Sequence, residues 1–510
     1  MKITTFAAIY IGSYEVNLKI FEISAPKKVR QIDFIRSRIE LGKDVYSKGN
    51  IGYEAMEDLC GVLKEYCRFM DGYQVDDYRA YASNVIRDAK NGLFILEQIR
   101  LRTNIKVSVL SNSEHRSISY KSIASHKLFH KIIHKGAAVV DIGGGSIQIT
   151  LFKNGNAVTT QHIVLGTVRI HEKLSVIAPI VTRYEEQIEE LVDKEIKIFN
   201  RLYLPEKKIP YIIMTGNYIV DIVKNTIKNQ DGTINRSEFL KTLEKLNKKS
   251  KEQIAEELHL SNEKDPLLIP SVVLYKRVAE LLNAEQIWVS GANISDGIAY
   301  HYGEKKKILK AEHDFEQDVL SAARNIAHRY ESYSQHTAII LDNSSIIFDA
   351  MKKVHGLSKR DKLLLQVAAI LHDCGRYISL VNQAECSYQI IMSSEIIGIS
   401  HLEREIVASA VKYNEKPLPP FDQLIGKMNR ESYMIVSKLA AILKIANALD
   451  RSHKQKCKKL KAVLREKSLI LTMESSKDLL LEKGLFISRT DLFEEIFSIK
   501  PVIKEKRVFD

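Results

Sequence analysis

The sequence predicts an α/β protein followed by a helical domain, and three observations carry this prediction. Short apolar segments typical of buried strands alternate with segments of helical periodicity through about the first 300 residues, which indicates an α/β architecture. Several of the strand-like segments end in glycine-bearing loops, the places where such folds bind ligands. Beyond residues 304–310 nearly every segment has helical spacing, until a mixed pattern returns near Leu460.

The length and charge of the chain predict several domains and an anionic partner. The chain has 510 residues, too many for one hydrophobic core, so we expect three or four domains. A formal net charge of +13 predicts anionic partners such as polyphosphate, nucleotides, nucleic acid or a membrane surface. Two basic clusters, Lys305–Lys307 with Lys310 and Lys454–Lys461, supply much of the excess, and by default each is a solvated surface or a linker.

The cysteines and the apolar runs predict a cytoplasmic protein. There are five cysteines and no CxxC pair, a pattern that suits a reducing compartment. The apolar N-terminus alternates and carries charges such as Glu15 and Lys19, so we interpret it as a first strand and not as a signal peptide. No run approaches the roughly 18 apolar residues of a membrane helix, and we expect no membrane partner.

The most informative stretch is Val139–Leu151, which reads as strand, tight turn, strand. An apolar run ends in Asp141, the three glycines Gly143–Gly145 reverse the chain, and Ser146 opens an alternating run. Consecutive glycines let backbone N–H groups approach a ligand closely, and such a nest suits phosphate. A plain β-hairpin that needs glycine only for its turn is the alternative, but Asp141 could hold a divalent cation or a water there and favours phosphate.

A fainter copy of this unit lies at the N-terminus, in Phe6–Ile20. An apolar strand again meets Gly-Ser, here Gly12 and Ser13, and an alternating strand again follows. Tyr10 takes the place that Asp141 has in the second unit. Two such units predict two related lobes, each of which offers one phosphate loop to a shared cleft.

Another candidate lies after the strand predicted over Val107–Leu110. The polar segment Ser111–Arg116 follows this strand, includes Glu114 and leads into a helix that extends to about Ile133. A carboxylate at the end of a core strand is aimed rigidly and can do chemistry in a cleft, although a lone Glu is more often a cap or a solvated residue. Farther on, Thr182–Glu185 has the spacing of a capping box that opens a long helix.

The segments beyond Lys310 predict a separate helical domain and then a small mixed subdomain. His336 and the pair His372-Asp373 have a spacing that metal ligands also show. A strand is predicted over Leu469–Met473 in the last part of the chain. The predicted helices are about 314–330, 335–354, 359–371, 401–412 and 432–449.

The order of these motifs resembles that of the exopolyphosphatase/guanosine pentaphosphate phosphohydrolase (Ppx/GppA) family. The resemblance implies an α/β fold of two actin-like (ribonuclease H-like, ASKHA) lobes, followed by an α-helical HD-like domain and a small C-terminal α+β subdomain. It implies domains at 1–124, 125–306, 307–458 and 459–510. The segments that carry the resemblance are 6–20, 79–91, 107–120, 139–151, 164–169 and 287–297.

The resemblance implies roles only for residues that match the family's motifs. Glu114 aligns with the glutamate that acts as general base towards the attacking water, and Asp141 would support Mg²⁺. Gly166 and Arg169 match a G-x-x-R element. The residues implied to bind phosphate or substrate are Gly12, Ser13, Arg87, Asn91, Gly143, Gly144, Gly145, Ser146 and Arg169.

Departures from the family pattern fall in the same loops. Tyr10 and Tyr14 stand where the first loop has an acid and an amide, and Gln148 stands where the second loop later has a glutamate. The usual G-G-T loop is Gly216–Tyr218. Because removing one charge-stabilising group costs roughly 10²–10³ in rate, two or three such losses could leave activity barely measurable.

The helical domain has lost motif residues as well. His336, His372, Asp373 and Asp450 remain, but later family histidines are replaced, for example by Asn414. We therefore expect no HD-type metal centre and interpret His372 as a core histidine with its hydrogen bonds satisfied.

Two hypotheses of different classes remain. The first is a Mg²⁺-dependent hydrolase that trims inorganic polyphosphate or pppGpp, supported by Glu114, Asp141 and the glycine loop. The second is an impaired relative that binds polyphosphate or (p)ppGpp as a regulatory protein, supported by Tyr10, Tyr14 and Gln148. Nucleic acid is an unlikely partner because only the net charge favours it. Relatives commonly dimerise through the helical domain, which implies a homodimer.

Overall fold

The computed structural model describes residues 3–25, 28–175, 184–204, 209–216, 218–226, 232–260 and 265–508. The chain divides into two compact units, Met1–Phe315 and Glu316–Asp510. The first unit holds two β-sheets flanked by helices, and the second is mainly helical with a small sheet. The predicted order along the chain, an α/β part followed by a helical part, is confirmed. The start of the predicted capping box, at Thr182, and also Asn217 lie outside the described residues.

Five strands form the first sheet: β1 (Ile3–Ile11), β2 (Glu15–Ser24), β3 (Lys28–Arg38), β4 (Asp77–Ala82) and β5 (Val107–Val109). Their spatial order is β3-β2-β1-β4-β5, with β1 and β2 antiparallel and β1 and β4 parallel. β1 and β2 are buried along most of their length, as expected of strands covered on both faces.

Six helices belong to this part of the chain: α1 (Leu41–Lys48), α2 (Tyr53–Gly72), α3 (Asn84–Asp88), α4 (Gly92–Thr103), α5 (Asn112–Ala124) and α6 (Lys127–Lys135), the last of which contacts the second sheet. The single helix predicted from Ser111 to about Ile133 is in fact two helices. The chain leaves the helical conformation at His126, whose backbone is extended. α5 begins with a capping box in which Ser111 and Glu114 bond to each other's backbone N–H groups.

The second sheet contains β6 (Ala137–Ile142), β7 (Ile147–Lys153), β8 (Asn156–Ile163), β9 (Ile209–Gly216), β10 (Thr233–Asn235) and β11 (Ala284–Val289). Its order is β10-β11-β9-β6-β7-β8. The hairpin β6–β7 and the parallel partner β9 repeat the arrangement of β1–β2 and β4. The two sheets therefore form the two related lobes that the repeated glycine motif predicts.

The helices of this part are α7 (Thr167–Ser175), α8 (Tyr184–Tyr203), α9 (Ile219–Thr226), α10 (Arg236–Asn247), α11 (Lys251–Glu257), α12 (Leu268–Leu282) and α13 (Ile294–Lys305). The last of them returns to the first sheet. On α13, Ile298 and Tyr302 pack with Phe6 of β1, and Asp296 forms a 2.9 Å ion pair with Lys19 of β2.

The second unit contains α14 (Phe315–Arg329), α15 (Ser334–Ala350), α16 (Lys359–Leu371), α17 (Gln383–Ser393), α18 (His401–Glu415) and α19 (Arg430–Ala448). The sequence predicted all of these except α17. The buried side of α17 includes the small residues Ala384 and Ser387 beside Ile390 and Ile391, so its apolar periodicity is weak.

The chain ends in a three-stranded sheet with two helices: β12 (Lys459–Arg465), β13 (Ser468–Ser475), α20 (Leu480–Phe486), α21 (Asp491–Phe497) and β14 (Lys500–Arg507). The strand order is β12-β13-β14. Leu469, Leu471 and Met473 of β13 are fully buried in the core that the helices of this unit share. The predicted strand and mixed pattern are confirmed here.

Among the helices of the described residues, none combines the length and apolar character needed to cross a membrane.

Candidate functional site

The candidate site is a cleft in the first unit where the two glycine loops face each other. It is open to solvent, and its empty volume, counted together with the open mouth, is roughly 620 Å³. All six glycine-loop residues and Asp141 named from the sequence line it, whereas Glu114, Arg87, Asn91 and Arg169 do not. The lining residues are Tyr10, Gly12, Ser13, Tyr14, Glu15, Ser83, Asn84, Leu110, Ser111, Asn112, His115, Asp141, Gly143, Gly144, Gly145, Ser146 and Gln148.

The second glycine loop is clamped onto the first turn of α7. The Gly144 carbonyl accepts hydrogen bonds from Val168 N–H at 2.9 Å and from Arg169 N–H at 3.0 Å, and Thr167 N–H donates to the Gly143 carbonyl. A Cβ atom on Gly166 would lie 2.4 Å from the Ser146 nitrogen, closer than real Cβ contacts allow. The G-x-x-R element therefore needs its glycine because helix and loop touch there.

The first glycine loop approaches the second very closely. Gly12 N–H donates to the Glu15 carbonyl at 2.9 Å, and Gly42 N–H donates to the Ser13 carbonyl at 2.7 Å. A Cβ atom on Gly144 would lie 3.1 Å from that of Ser13. The two loops thus bring backbone from both sheets to one point, which suits a ligand that presents several oxygens.

A partly buried polar cluster lies beside these loops. The Tyr10 hydroxyl and His115 Nε2 are 2.8 Å apart, and His115 Nδ1 lies 3.8 Å from Asp141 Oδ2. Burial, reinforced by the charge of Asp141, raises the pKa of the Tyr10 phenol. Burial lowers the pKa of His115 despite the opposing effect of Asp141. Tyr10 therefore keeps its proton and His115 is neutral at neutral pH.

Glu114 does not line the cleft but lies directly behind residues that do. Its Oε2 accepts a 2.9 Å hydrogen bond from Ser111 N–H and so completes the capping box of α5. Ser111 itself lines the cleft. The carboxylate is thus placed as the ordinary interpretation of a lone Glu predicts, and its role as general base stays a prediction.

The cations named from the sequence support the walls of the cleft. Arg87 donates to Asn112 Oδ1 at 2.9 Å and to the Leu110 carbonyl at 3.2 Å. Arg169 donates to the Gly145 carbonyl and to Asp88, both at 3.1 Å. Within the described residues, the lining of the cleft includes no Lys or Arg.

Asn91 lies outside the cleft lining and has a structural partner. Its side-chain NH₂ donates to the Ile51 carbonyl at 2.9 Å, and its Oδ1 accepts from Ile51 N–H at 3.0 Å. Both ends of the amide are therefore committed to the segment between α1 and α2.

Two tyrosines that depart from the family pattern meet at one buried carboxylate. The Tyr14 hydroxyl donates to Asp265 Oδ1 at 2.8 Å, and the Tyr218 hydroxyl donates to Asp265 Oδ2. Leu267 N–H donates to Asp265 Oδ1 at 2.9 Å. We call Tyr14, Tyr218 and Asp265 the clasp, because they join the first sheet's glycine loop to the second lobe.

The cleft offers few ligands to a metal ion. Asp141 lines it, with its Oδ1 accepting a hydrogen bond from the Thr215 hydroxyl at 3.0 Å. The amide oxygen of Gln148 is buried and has no hydrogen-bond partner among the described residues. Mg²⁺ usually binds one or two protein oxygens together with water and substrate phosphates, so Asp141 and Gln148 fit this ion.

His336 and His372 of the second unit are buried in its core. His336 Nδ1 lies 2.8 Å from Asp450 Oδ2, and the His336 ring stacks on His453 at 3.6 Å between centroids. His372 Nδ1 donates to the Ala369 carbonyl at 2.8 Å, as its interpretation as a core histidine predicts. No group of three or more His, Cys, Asp or Glu side chains in the described part of the chain is arranged to hold a metal ion.

Sequence reasoning missed His115 and Asp265. His115 lies in the polar segment that Glu114 singled out, so its proximity to the cleft could have been inferred from the same strand end. Asp265 is 251 positions from Tyr14, and no local pattern connects the two.

Two family models and several known proteins match this chain. A model of the Ppx/GppA phosphatase family matches residues 20–306, and a model of domain III of the Ppx/GppA phosphatases matches residues 320–495. The chain is 28% identical over 175 residues to a bifunctional 3-dehydroquinate synthase/phosphatase of Fusobacterium nucleatum, over 33% of this chain and only 26% of that protein. It is 20% identical over 454 residues to a guanosine-5'-triphosphate,3'-diphosphate pyrophosphatase of Vibrio atlanticus, over 86% of each.

A solved structure shows the fold. The crystal structure of an exopolyphosphatase from Cytophaga hutchinsonii matches with a TM-score of 0.53 and 16% identity, over 60% of this chain and 100% of that chain. At this identity the likeness concerns the fold alone, which is that of two actin-like lobes.

Proposed function

Because the chain belongs to the Ppx/GppA phosphatase family, we propose that its first unit releases terminal phosphate from inorganic polyphosphate or pppGpp. In this proposal water attacks the terminal phosphorus and the phosphoanhydride bond breaks. The observation that supports it best is the meeting of two glycine loops, one from each lobe, beside Asp141. Phosphoryl transfer depends mainly on positioning and on stabilising charge, and backbone from two lobes can provide the positioning.

The two loops would hold the oxygens of the terminal phosphate. Gly143–Ser146 is fixed by its bonds to α7, and Arg169 supports the loop through the Gly145 carbonyl. Asp141 and Gln148 would hold Mg²⁺, which supplies positive charge to the phosphate oxygens when bound. In this assignment the amide oxygen of Gln148 would be a metal ligand. That oxygen is buried and has no hydrogen-bond partner among the described residues.

Glu114 would orient and deprotonate the attacking water. To do so it must exchange the hydrogen bond from Ser111 N–H for one from water, and catalytic hydrogen bonds often tighten only once substrate is bound. The proton would pass to the carboxylate, and the leaving phosphate would depart on the far side of the phosphorus. Tyr10 and His115, both without charge, would keep the neighbouring wall polar.

A second candidate function is binding without turnover. Its support is the Tyr10–His115 bond, which fills the place of the first loop's acid. A binder of this kind would hold polyphosphate or (p)ppGpp without Mg²⁺. A hydrolase that relies on Asp141 and Gln148 would need the ion to bind its substrate productively.

The substitution Glu114→Gln tests the proposed hydrolase. Gln serves in a capping box as well as Glu does, so we expect an unchanged melting temperature. General-base catalysis contributes roughly 10²–10⁴-fold, so phosphate release from long-chain polyphosphate or pppGpp in Mg²⁺ should fall by at least about 10²-fold. An unchanged rate would show that Glu114 is only a helix cap.

A further inference from the structure

One face of the C-terminal sheet carries a regular array of basic side chains. Alternate residues of a strand point to one face, and paired residues on neighbouring strands share that face. The strand pairing therefore places four rows of three residues side by side. The rows are Lys459–Glu474–Lys506, Lys461–Thr472–Lys504, Val463–Ile470–Val502 and Arg465–Ser468–Lys500. We call these twelve residues the basic face.

The basic face is turned to solvent. Its six Lys and Arg side chains are exposed, whereas Leu460, Leu469 and Leu471, which point the other way, belong to the core. Within the described residues, only Lys506 of the six forms an ion pair, with Glu474 at 2.8 Å. Six cations against one carboxylate leave a face of charge +5.

The six cations lie in two parallel lines, and the strand between these lines carries no cation. One line follows β12 and the other follows β14, so they are separated by two strand spacings, roughly 10 Å. The middle strand contributes Ser468, Ile470 and Thr472, which carry no charge, and at one end Glu474, whose carboxylate pairs with Lys506. A ligand that fits has two charged edges and a less polar centre with hydrogen-bonding groups. A single extended polyanion strand has no group that would contact the middle strand between the two lines of cations.

The side chains of the basic face do not favour single-stranded nucleic acid. None of the twelve residues is aromatic, and proteins that bind single strands stack bases on aromatic rings. A paired duplex keeps its bases inside and presents two phosphate strands. The minor groove of A-form RNA is wide and shallow and displays 2'-hydroxyls, which the hydroxyls of Ser468 and Thr472 can contact.

We propose that the basic face binds double-stranded RNA across its minor groove, through the phosphate backbone and without base specificity. In the sequence only the net charge favoured nucleic acid as a partner, and the pairing of the strands supplies the geometry that charge lacked. This inference is independent of the proposed hydrolysis, because the cleft and the basic face belong to different units of the chain.

The test measures binding of a fluorescently labelled 20-base-pair RNA duplex to the full chain by anisotropy, at several salt concentrations. The variant Lys461→Gln/Arg465→Gln/Lys504→Gln removes three cations of the basic face. The matched control, Lys305→Gln/Lys307→Gln/Lys310→Gln, removes three exposed cations of the first unit. Circular dichroism and thermal melting establish that both variants are folded.

We expect the basic-face variant to lose at least about tenfold in affinity, with a salt slope reduced by roughly 2 to 3, and the control to bind as the parent does. The duplex should also bind more tightly than single-stranded RNA, B-form DNA or long-chain polyphosphate. Equal losses in both variants would overturn the proposal. So would tighter binding of DNA, single strands or polyphosphate through the same three residues.

Discussion

At the residue scale, the glycines of the cleft are explained by contacts and not by turns alone. Gly166 lies against the backbone of the second glycine loop, where a Cβ would meet the Gly143 carbonyl at 2.5 Å. Such a contact can be relieved only by moving the loop. The loop's position, and with it the hold on phosphate that we propose, therefore depends on a residue outside the loop.

The variant Gly166→Ala tests this dependence. Overpacking of this kind costs about 1–3 kcal/mol, and we expect phosphate release to fall by roughly 10–10²-fold because the loop is displaced from its position for catalysis. The control is Gly61→Ala on α2, where a Cβ meets nothing within 4 Å and helix propensity should add about 0.5–1 kcal/mol of stability. If Gly166→Ala keeps full activity, the loop does not position the phosphate.

At the element scale, ion pairs fix helices of the second lobe against each other. Asp193 on α8 accepts hydrogen bonds from Arg277 on α12, with Arg277 Nη2 at 2.7 Å, and from Lys197 at 2.6 Å. The hydrogen bond from Arg277 is the main reason that the pKa of Asp193 is lowered to about 2. A forked Arg–carboxylate pair of this kind is stronger than an ordinary surface ion pair.

Stability should therefore depend on pH through Asp193. Its pKa in the folded chain lies below the unfolded value, so its stabilisation is complete above roughly pH 4–5 and is lost as pH falls through about 2. We expect Asp193→Asn to lower the unfolding free energy by about 1 kcal/mol at pH 7, allowing for partial exposure.

The measurement is denaturant unfolding of parent and variant between pH 7 and pH 2. The difference between them should shrink towards zero at the acid end. Glu190→Gln, an exposed position on the same helix, should change little at any pH. A difference for Asp193→Asn that stays constant with pH would mean that charge is not what Asp193 contributes.

At the scale of the first unit, the clasp ties the two lobes together. Tyr14 and Tyr218 both donate to Asp265, and burial is the main cause of the raised pKa of each tyrosine. Both tyrosines therefore remain protonated donors at neutral pH. Two departures from the family pattern that look unrelated in the sequence thus form one contact between lobes.

The double-mutant cycle of Tyr14→Phe and Tyr218→Phe measures this contact. Removing a donor from a buried carboxylate should cost about 1–3 kcal/mol in each single variant. Because both hydroxyls serve one acceptor, the two losses should not add. The control is Tyr377→Phe at an exposed position, which should not change stability. Additive losses would show that the tyrosines act separately and that no clasp exists.

Much of the fold could be predicted from sequence because local patterns carry it. The alternation of strands and helices, the repeated glycine loops and most helices of the second unit follow from periodicity and turn residues. Whether Glu114 caps α5 or faces the cleft could not be decided from the sequence, because both arrangements place a glutamate at the same strand end. The clasp and the basic face depend on long-range contact and on strand register, which no single segment encodes.

The most direct test of the proposed hydrolysis is orthophosphate release by the purified parent chain from long-chain polyphosphate and from pppGpp, with Mg²⁺ and with chelator. We expect release from at least one substrate in Mg²⁺ and its loss in chelator, and the faster substrate would define the chain's role. Binding of both substrates with no release in Mg²⁺ would contradict hydrolysis and leave a protein that only holds its polyanion.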